Sequence, residues 1–466
     1  MTTNGSSSVK GVLCAALFCS LLALPASNLY AQGVCPYGFL PPAYQGQNPA
    51  CKVTNNRFIV RDSGGLLGIN TSCALLGCQV LEGIGDPDGQ VFLIQNVGLL
   101  DPNTFLTQLI SAANVVNAEP EQIVSTLGAT VQQIPAYLTD DTPIGYYGAT
   151  VWEGYVLQTP NQIVRTAQTQ ADFGVTGAGV TVAVIDTGID PNNTVLNPVL
   201  VAGFDFTRNA GGGSEMGDIS QSTAGVVDGQ VAQLSQTAAG VLDQSTAGVI
   251  DTPPYSAFGH GTMTAGVVHL VAPQANIMPL KAFTADGTAY ASDVLRAVYY
   301  AVNNGAKVIS MSFEFSSASP ELAAAINYAT NRGLICVASA GNDASMATVY
   351  PASLPNVIDV ASTSNANAPS DFSNYGAPPV WISAPGEGVM SVYPFNSYAV
   401  GWGTSFSAPF VSGTVALMAS ISSPLTESTA ADALSHAQPV SNSQYGHGVL
   451  DTYQAVQAWK NSLGSP

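Results

Sequence analysis

The sequence VTVAVI at 180–185 runs directly into Asp186-Thr187-Gly188-Ile189-Asp190. Its apolar residues are continuous, not alternating, as in a strand buried on both faces. Runs of the same kind recur: AKVISMS (306–312), LICVAS (334–339), VIDVAS (357–362) and VWISA (380–384). Between and after them lie helix candidates, ASDVLRAVYYAVNN (291–304), PELAAAINYATNR (320–332) and SFSAPFVSGTVALMASI (405–421). Buried strands alternating with helices predict an α/β fold, a doubly wound parallel sheet with helices on both faces. Such sheets place their sites at the carboxyl ends of the strands. Asp186 therefore stands at the mouth of the fold.

Three further segments carry side chains suited to chemistry. In Phe258-Gly259-His260-Gly261-Thr262-Met263-Thr264-Ala265-Gly266, a histidine lies between two glycines at the start of a small-residue helix. The glycines allow close backbone approach and leave both ring nitrogens room for partners. In Gly403-Thr404-Ser405-Phe406-Ser407-Ala408-Pro409, a serine opens a long helix. The N–H groups and the positive dipole end there favour an oxyanion. In Ser339-Ala340-Gly341-Asn342-Asp343, directly after the strand LICVA, Asn342 offers an amide donor. Singly, each residue has an ordinary role: a strand-terminal carboxylate, an N-cap serine, a turn asparagine. His269, His436 and His447 lack a comparable setting.

Taken together, VAVIDTGID, GHGTMTAGVV, SAGN and GTSFSAPFVSG resemble the four signature blocks of the subtilisin-like serine proteases. The likeness extends over roughly 162–459 and includes SAPG (383–386) and YGHGVLD (445–451). A G-x-S-x-G elbow with serine first, as in α/β-hydrolases, is not the pattern here, because Ser407 stands two residues after Ser405. The resemblance implies an endopeptidase acting through an Asp186–His260–Ser405 triad and an acyl-enzyme, with Asn342 and the Ser405 N–H holding the oxyanion. It implies substrate contacts at Ser312, Phe313 and Glu314, at Ala340 and Gly341 across the primary pocket, and at an opposite edge strand from Gly287 to Ala289. No cofactor is required. Structural calcium is common in the family, but no ligand spacing assigns a site. Three departures stand out. Glu314 occupies a position that is usually glycine, either narrowing the cleft, favouring basic substrate residues, or pointing to solvent. Thr264 replaces a common valine. The interval from Asp186 to His260 is long.

The remaining segments suggest an exported precursor. Lys10 precedes an apolar stretch, Gly11 to Leu24, that Pro25 breaks, so residues 1–31 read as a signal peptide, too short to span a bilayer. The expected location is secreted, extracellular or periplasmic. Residues 32–127 read as a cysteine-containing lead followed by a small α+β unit. Its strands are expected at RFIV (57–60) and QVFLIQN (90–96), and its helices at 66–77 and 104–116. It resembles an inhibitory pro-domain, with a durable accessory domain as the other reading. Cys35, Cys51, Cys73 and Cys78 allow two disulfides in three pairings, or a zinc site, and export favours disulfides. Cys336 reads as a buried small hydrophobe. Residues 128–160 read as a linker and processing region, and 161–460 as the peptidase domain. Within that domain, 208–254 carries unequal copies of an Ala-Gly-Val motif and reads as a tolerated surface insertion.

Composition limits the partners. Of 466 residues 46% are hydrophobic and only 9% charged, with a net charge of −19. Nucleic acid and anionic membranes need clustered cations, which this chain lacks. Protein or peptide substrates, and the chain's own pro-domain as an intramolecular inhibitor, are the expected partners. The competing readings are a catalytically silent scaffold of the same fold and an esterase or acyltransferase with the same triad.

Overall fold

Thr181–Asp186 forms the strand expected from VTVAVI, and it lies inside an eight-stranded sheet. The computed structural model describes residues 56–125, 140–218 and 257–464, apart from 316, 377 and 423. It also describes short strands at Val34–Cys35, Gly38–Phe39 and Gly240–Val241. The chain divides into two units, Met1–Thr54 and Asn55–Pro466. In the first, Val34–Cys35 pairs antiparallel with Gly38–Phe39. The expected signal peptide, the Cys35 side chain, Cys51 and most of the 208–254 stretch lie outside the described residues.

The main sheet runs Ala210–Gly211, Phe204–Asp205, Asn276–Lys281, Thr181–Asp186, Val308–Met311, Ile335–Ser339, Val357–Thr363, Ile382–Pro385. All neighbours are parallel except the outermost pair, Phe204–Asp205 with Ala210–Gly211. Strand order reverses at Thr181–Asp186, which lies between Asn276–Lys281 and Val308–Met311, so Asp186 ends the strand at the switch point of the sheet. The helices His260–Val271 and Thr404–Ile421 pack on one face, in one large apolar cluster with Val182, Val184 and Val308. Ala291–Asn303 and Pro320–Asn331 cover the other face, against Ala183, Ile185 and Ile309. The doubly wound parallel sheet is as expected, with both faces buried.

A four-stranded antiparallel sheet precedes it, in the order Cys78–Gly83, Val91–Asn96, Arg57–Asp62, Val115–Pro120. With helices Gly65–Leu76 and Pro102–Ile110 this is a β-α-β-β-α-β unit. One sheet face packs Phe58, Val60, Phe92 and Ile94 against its own helices. The other packs Ile59, Val91 and Leu93 into the cluster formed by Ala291–Asn303 and Pro320–Asn331. The strand RFIVRD is buried on both sides for this reason. Cys73 and Cys78 form a disulfide across the helix end. Cys336 is buried and free, and burial pushes its thiol up to about 12.

Three expectations need correction. The helix expected at 104–116 ends at Ile110, because Asn114 turns the chain at φ +70° and the β-branched Val115-Val116 begin a strand. Residues 140–160 are not a linker. Pro143–Tyr146 and Ala149–Trp152 form a hairpin, followed by short helices, and Tyr146, Val151 and Tyr155 are buried in the main core. The Tyr155 hydroxyl donates to the carbonyl of Gly266 at 2.6 Å, so the aromatic residues dock this stretch on the His260 helix. The segment 208–254 starts exposed, at 208–212, but is not all surface, since Glu215 is fully buried and the Asp218 side chain nearly so.

Candidate active site

Asp186 is fixed from three sides. Its carbonyl accepts the N–H groups of Ala282 and Phe283 at 3.0 and 3.2 Å, so the loop after the neighbouring strand is tied to the strand end. Its Oδ1 accepts the N–H of Thr187 and bonds His260 Nδ1, both at 2.7 Å. Its Oδ2 accepts the hydroxyl of Thr264 at 3.2 Å. Thr264, read from sequence as a mild replacement, thus supplies a donor to the carboxylate that a valine lacks.

His260 opens its helix. Gly259 precedes it at φ +87°, a conformation that favours glycine, and a Cβ there would enter the ring of Tyr393. The imidazole is buried, with the Phe406 ring 5.7 Å away between centroids. A bond from Nδ1 to a carboxylate places the neutral ring's lone pair on Nε2.

Ser405 is the second residue of Thr404–Ile421 and is buried. Its hydroxyl makes a long hydrogen bond, 3.5 Å, to the carbonyl of Ser312. Pro409, four residues on, has no N–H to give to the Ser405 carbonyl. The hydroxyl of Ser312 donates to that carbonyl instead, at 3.0 Å. The proline thus opens an acceptor through which the Ser312 segment is fastened to the serine helix.

Asn342 follows strand Ile335–Ser339. Its Oδ1 accepts the N–H of Thr404 at 2.8 Å and the Thr404 hydroxyl at 3.0 Å. Two donors on one atom identify it as the oxygen, so the amide NH2 is the other end. A Cβ built on Gly403, whose φ is +144°, would lie 3.5 Å from Asn342 Nδ2 and 3.8 Å from the backbone N of Ser405. The two donors therefore flank one small space, which a side chain at Gly403 would fill.

The other expected residues lie on the segments after Met311 and Ser339 and next to the strand Thr288–Tyr290. Strand Val308–Met311 ends before Ser312, so Ser312 and Phe313 leave it as loop, and Glu314 and Phe315 follow as bridge residues. Ala340 is buried beside Gly341. Glu314 bridges toward Gly341, with Oε2 2.6 Å from where a Gly341 Cβ would stand. Gly287 lies in the turn before the edge strand, which is Thr288–Tyr290. That strand is already paired. Ile123–Ser125 lies antiparallel to it, with Ala289 opposite Val124. Among the described residues no group of three His, Cys, Asp or Glu side chains is arranged to hold a metal ion.

Sequence reasoning missed Glu215. Its Oε2 accepts the N–H of Gly259 at 2.8 Å and the Thr187 hydroxyl at 3.2 Å, and Oε1 accepts the Thr262 hydroxyl. Its partners are the neighbours of Asp186 and His260, so one carboxyl joins the strand end to the helix start. Burial raises its pKa, with repulsion from Asp186 adding and the attraction of Lys281 opposing. Lys281 is itself buried, and its Nζ donates to the carbonyl of Thr187 at 2.8 Å and to Asp218 at 2.7 Å. The one available signal was compositional: Glu215 and Asp218 are acidic residues in a stretch otherwise poor in charge.

The Subtilase family profile matches residues 177–453, more than half of the chain. The chain belongs to the subtilase family. It is 32% identical over 241 residues to thermitase of Thermoactinomyces vulgaris, covering 50% of this chain and 71% of that protein. It is 29% identical over 271 residues to a thermophilic serine proteinase of Bacillus sp. strain AK1, covering 56% of each. It is 37% identical over 158 residues to subtilisin BL of Lederbergia lenta, covering 32% of this chain and 58% of the other. For the last two relatives the match spans somewhat over half of their length. The enzyme class is that of the subtilisin-like serine endopeptidases.

Proposed function

We propose that this subtilase is an exported endopeptidase that cleaves peptide bonds through Asp186, His260 and Ser405 with an acyl-enzyme intermediate. The observation that carries the reading is the 2.7 Å bond from Asp186 to His260 Nδ1, in a site where Asn342 Nδ2 and the Ser405 N–H flank one space. The bond to Asp186 holds the ring proton at Nδ1 and leaves the lone pair on Nε2. The Ser405 hydroxyl turns from the Ser312 carbonyl to Nε2, loses its proton there and attacks the scissile carbonyl. The new oxyanion takes the space beside Gly403 and accepts both donors. His260 returns the proton to the leaving amine, and Asp186 stabilises the imidazolium in between. Water then enters, gives its proton to His260, attacks the acyl-serine, and Ser405 leaves reprotonated.

The substrate backbone pairs with the edge at Thr288–Tyr290 and faces Ser312–Glu314, a form of strand addition. In the full chain Ile123–Ser125 holds that edge. The unit formed by residues 57–120 therefore acts as the intramolecular inhibitor, and the chain becomes active when the connection after Ser125 is cut. Residues 1–31 direct export.

A fluorogenic protein substrate with wild type and Ser405→Ala tests the reading. Activity in the wild type alone supports it, and equal activity in both sinks it. A sulfonyl fluoride that sulfonylates wild type once, with loss of fluoride, and leaves Ser405→Ala unmodified locates the nucleophile by intact mass.

A further inference from the structure

Glu314 Oε2 is buried and has no hydrogen-bond partner among the described residues. It lies against Gly341, so the carboxylate reaches from one wall of the primary pocket to the other. The described Arg and Lys side chains are committed elsewhere. Six of the nine described are in ion pairs, namely Arg57, Arg61, Arg165, Arg208, Lys281 and Arg296. Lys307 donates to the carbonyls of Gly333 and Leu425, and Arg332 and Lys460 lie over aromatic rings. The charged neighbour that acts on Glu314 is Asp343, which is of the same sign. A buried carboxylate costs several kcal/mol unless paired. Here burial and Asp343 together push Glu314 up to about 8.

A group so placed lacks a cation, and the pocket is where a substrate side chain arrives. We propose that Glu314 makes the primary pocket select lysine or arginine on the acyl side of the scissile bond. The inference rests on the endopeptidase reading above. An incoming cation meets Glu314 in a site of low dielectric, with Asp343 adding to the field, while its methylene stem covers the apolar wall at Ala340.

A second, independent observation agrees. The chain has only eleven Lys and Arg, and none between Arg61 and Arg165. The stretches 126–139 and 219–256 contain no cation at all. An enzyme that cuts after cations, and keeps its own few packed against carboxylates, carbonyls and rings, offers itself few sites. The same gap means that the connection after Ser125 presents this pocket with no cation. Its cleavage then relies on the high effective concentration of a tethered strand, or on another protease.

Four fluorogenic peptides, identical but for Arg, Lys, Phe or Ala before the scissile bond, test the proposal with wild type, Glu314→Gln and Glu314→Gly. The expected result is a kcat/KM for Arg at least about tenfold above Phe and Ala in the wild type. That ratio collapses at least about tenfold in Glu314→Gln, which keeps the shape and loses the charge. Equal use of Phe or Ala by the wild type, or an unchanged ratio in Glu314→Gln, overturns it. Binding of 4-aminobenzamidine, a planar cation, to the processed wild-type and Glu314→Gln enzymes gives a readout without turnover. Saturable binding that Glu314→Gln abolishes supports the pocket assignment even if no peptide is cut, an outcome that overturns only the reading beneath it. No binding, with peptides cut freely, overturns the assignment alone.

Discussion

The hydroxyl and the N–H of Thr404 both donate to the side-chain oxygen of Asn342, at 3.0 and 2.8 Å. Thr404 thereby decides which end of the amide faces the space beside Ser405. Asn342→Leu is expected to lower kcat by about 100- to 1,000-fold with little change in KM. Thr404→Val keeps the N–H and loses the hydroxyl, and a fall of about tenfold is expected. Because Thr404 acts through Asn342, adding Thr404→Val to Asn342→Leu should cost little more. Steady-state kinetics of the double-mutant cycle check this, and full additivity would contradict it.

Thr264→Val removes the donor to Asp186 Oδ2 and leaves that oxygen buried with one fewer partner. A hydrogen bond to a charged group is worth about 1.5–3 kcal/mol, so kcat/KM should fall about 10- to 100-fold. Thr264→Ser, which restores the hydroxyl, should restore the activity.

Glu215→Ala leaves the Gly259 N–H and the hydroxyls of Thr187 and Thr262 without their shared acceptor. A loss of about 3 kcal/mol or more in stability is expected, at about 1–3 kcal/mol for each buried donor left without an acceptor. Denaturant unfolding of the Ser405→Ala background measures it without self-digestion. Glu215→Gln retains one acceptor oxygen and should lose markedly less.

The docking of the four-stranded unit should weaken as pH rises. Glu119 accepts the Ser319 hydroxyl at 2.7 Å at the start of helix Pro320–Asn331. Burial raises it from 4.5 to about 7, the Ser319 bond opposing and Glu321 adding. Beside it Glu121 meets Ser292 and Arg57, Asp293 meets Arg296, and Arg61 spans Asp86 and Glu321. A carboxyl raised on folding contributes fully below its ordinary value and loses that contribution as pH climbs to the folded one. The window here is therefore pH 4.5 to about 7, with about 3 kcal/mol at stake. Full-length Ser405→Ala should melt higher at pH 5 than at pH 8. Glu119→Gln should narrow the gap, and an unchanged gap would refute the assignment to this residue.

The parts of the fold that were legible from sequence are those whose signal is local. Continuous apolar runs marked five strands of the parallel sheet, and the order Asp186, His260, Asn342, Ser405 at element ends marked the candidate site. Strand Asn276–Lys281 escaped because Pro279 and Lys281 argue against a central strand. Lys281 is tolerated there only because Asp218 and two carbonyls receive its charge. Glu215 escaped because its partners Gly259 and Thr262 are 44 and 47 residues away, a distance at which no periodicity reports. The hairpin at 143–152 escaped because its aromatic residues resemble those of a loop until the core they enter is known.

The pairing of Ile123–Ser125 with Thr288–Tyr290 has a consequence for handling and storage of the molecule. An enzyme that grips extended chains must own an unsatisfied strand edge, and such an edge is also where molecules stick to one another. While the chain's own segment lies on it, Val124 is buried and the edge at Thr288–Tyr290 is occupied. The same three residues thus serve colloidal safety. The precursor should remain monodisperse at concentrations where a form stripped of residues before 140 associates, and the association should fade when a short extended peptide is supplied.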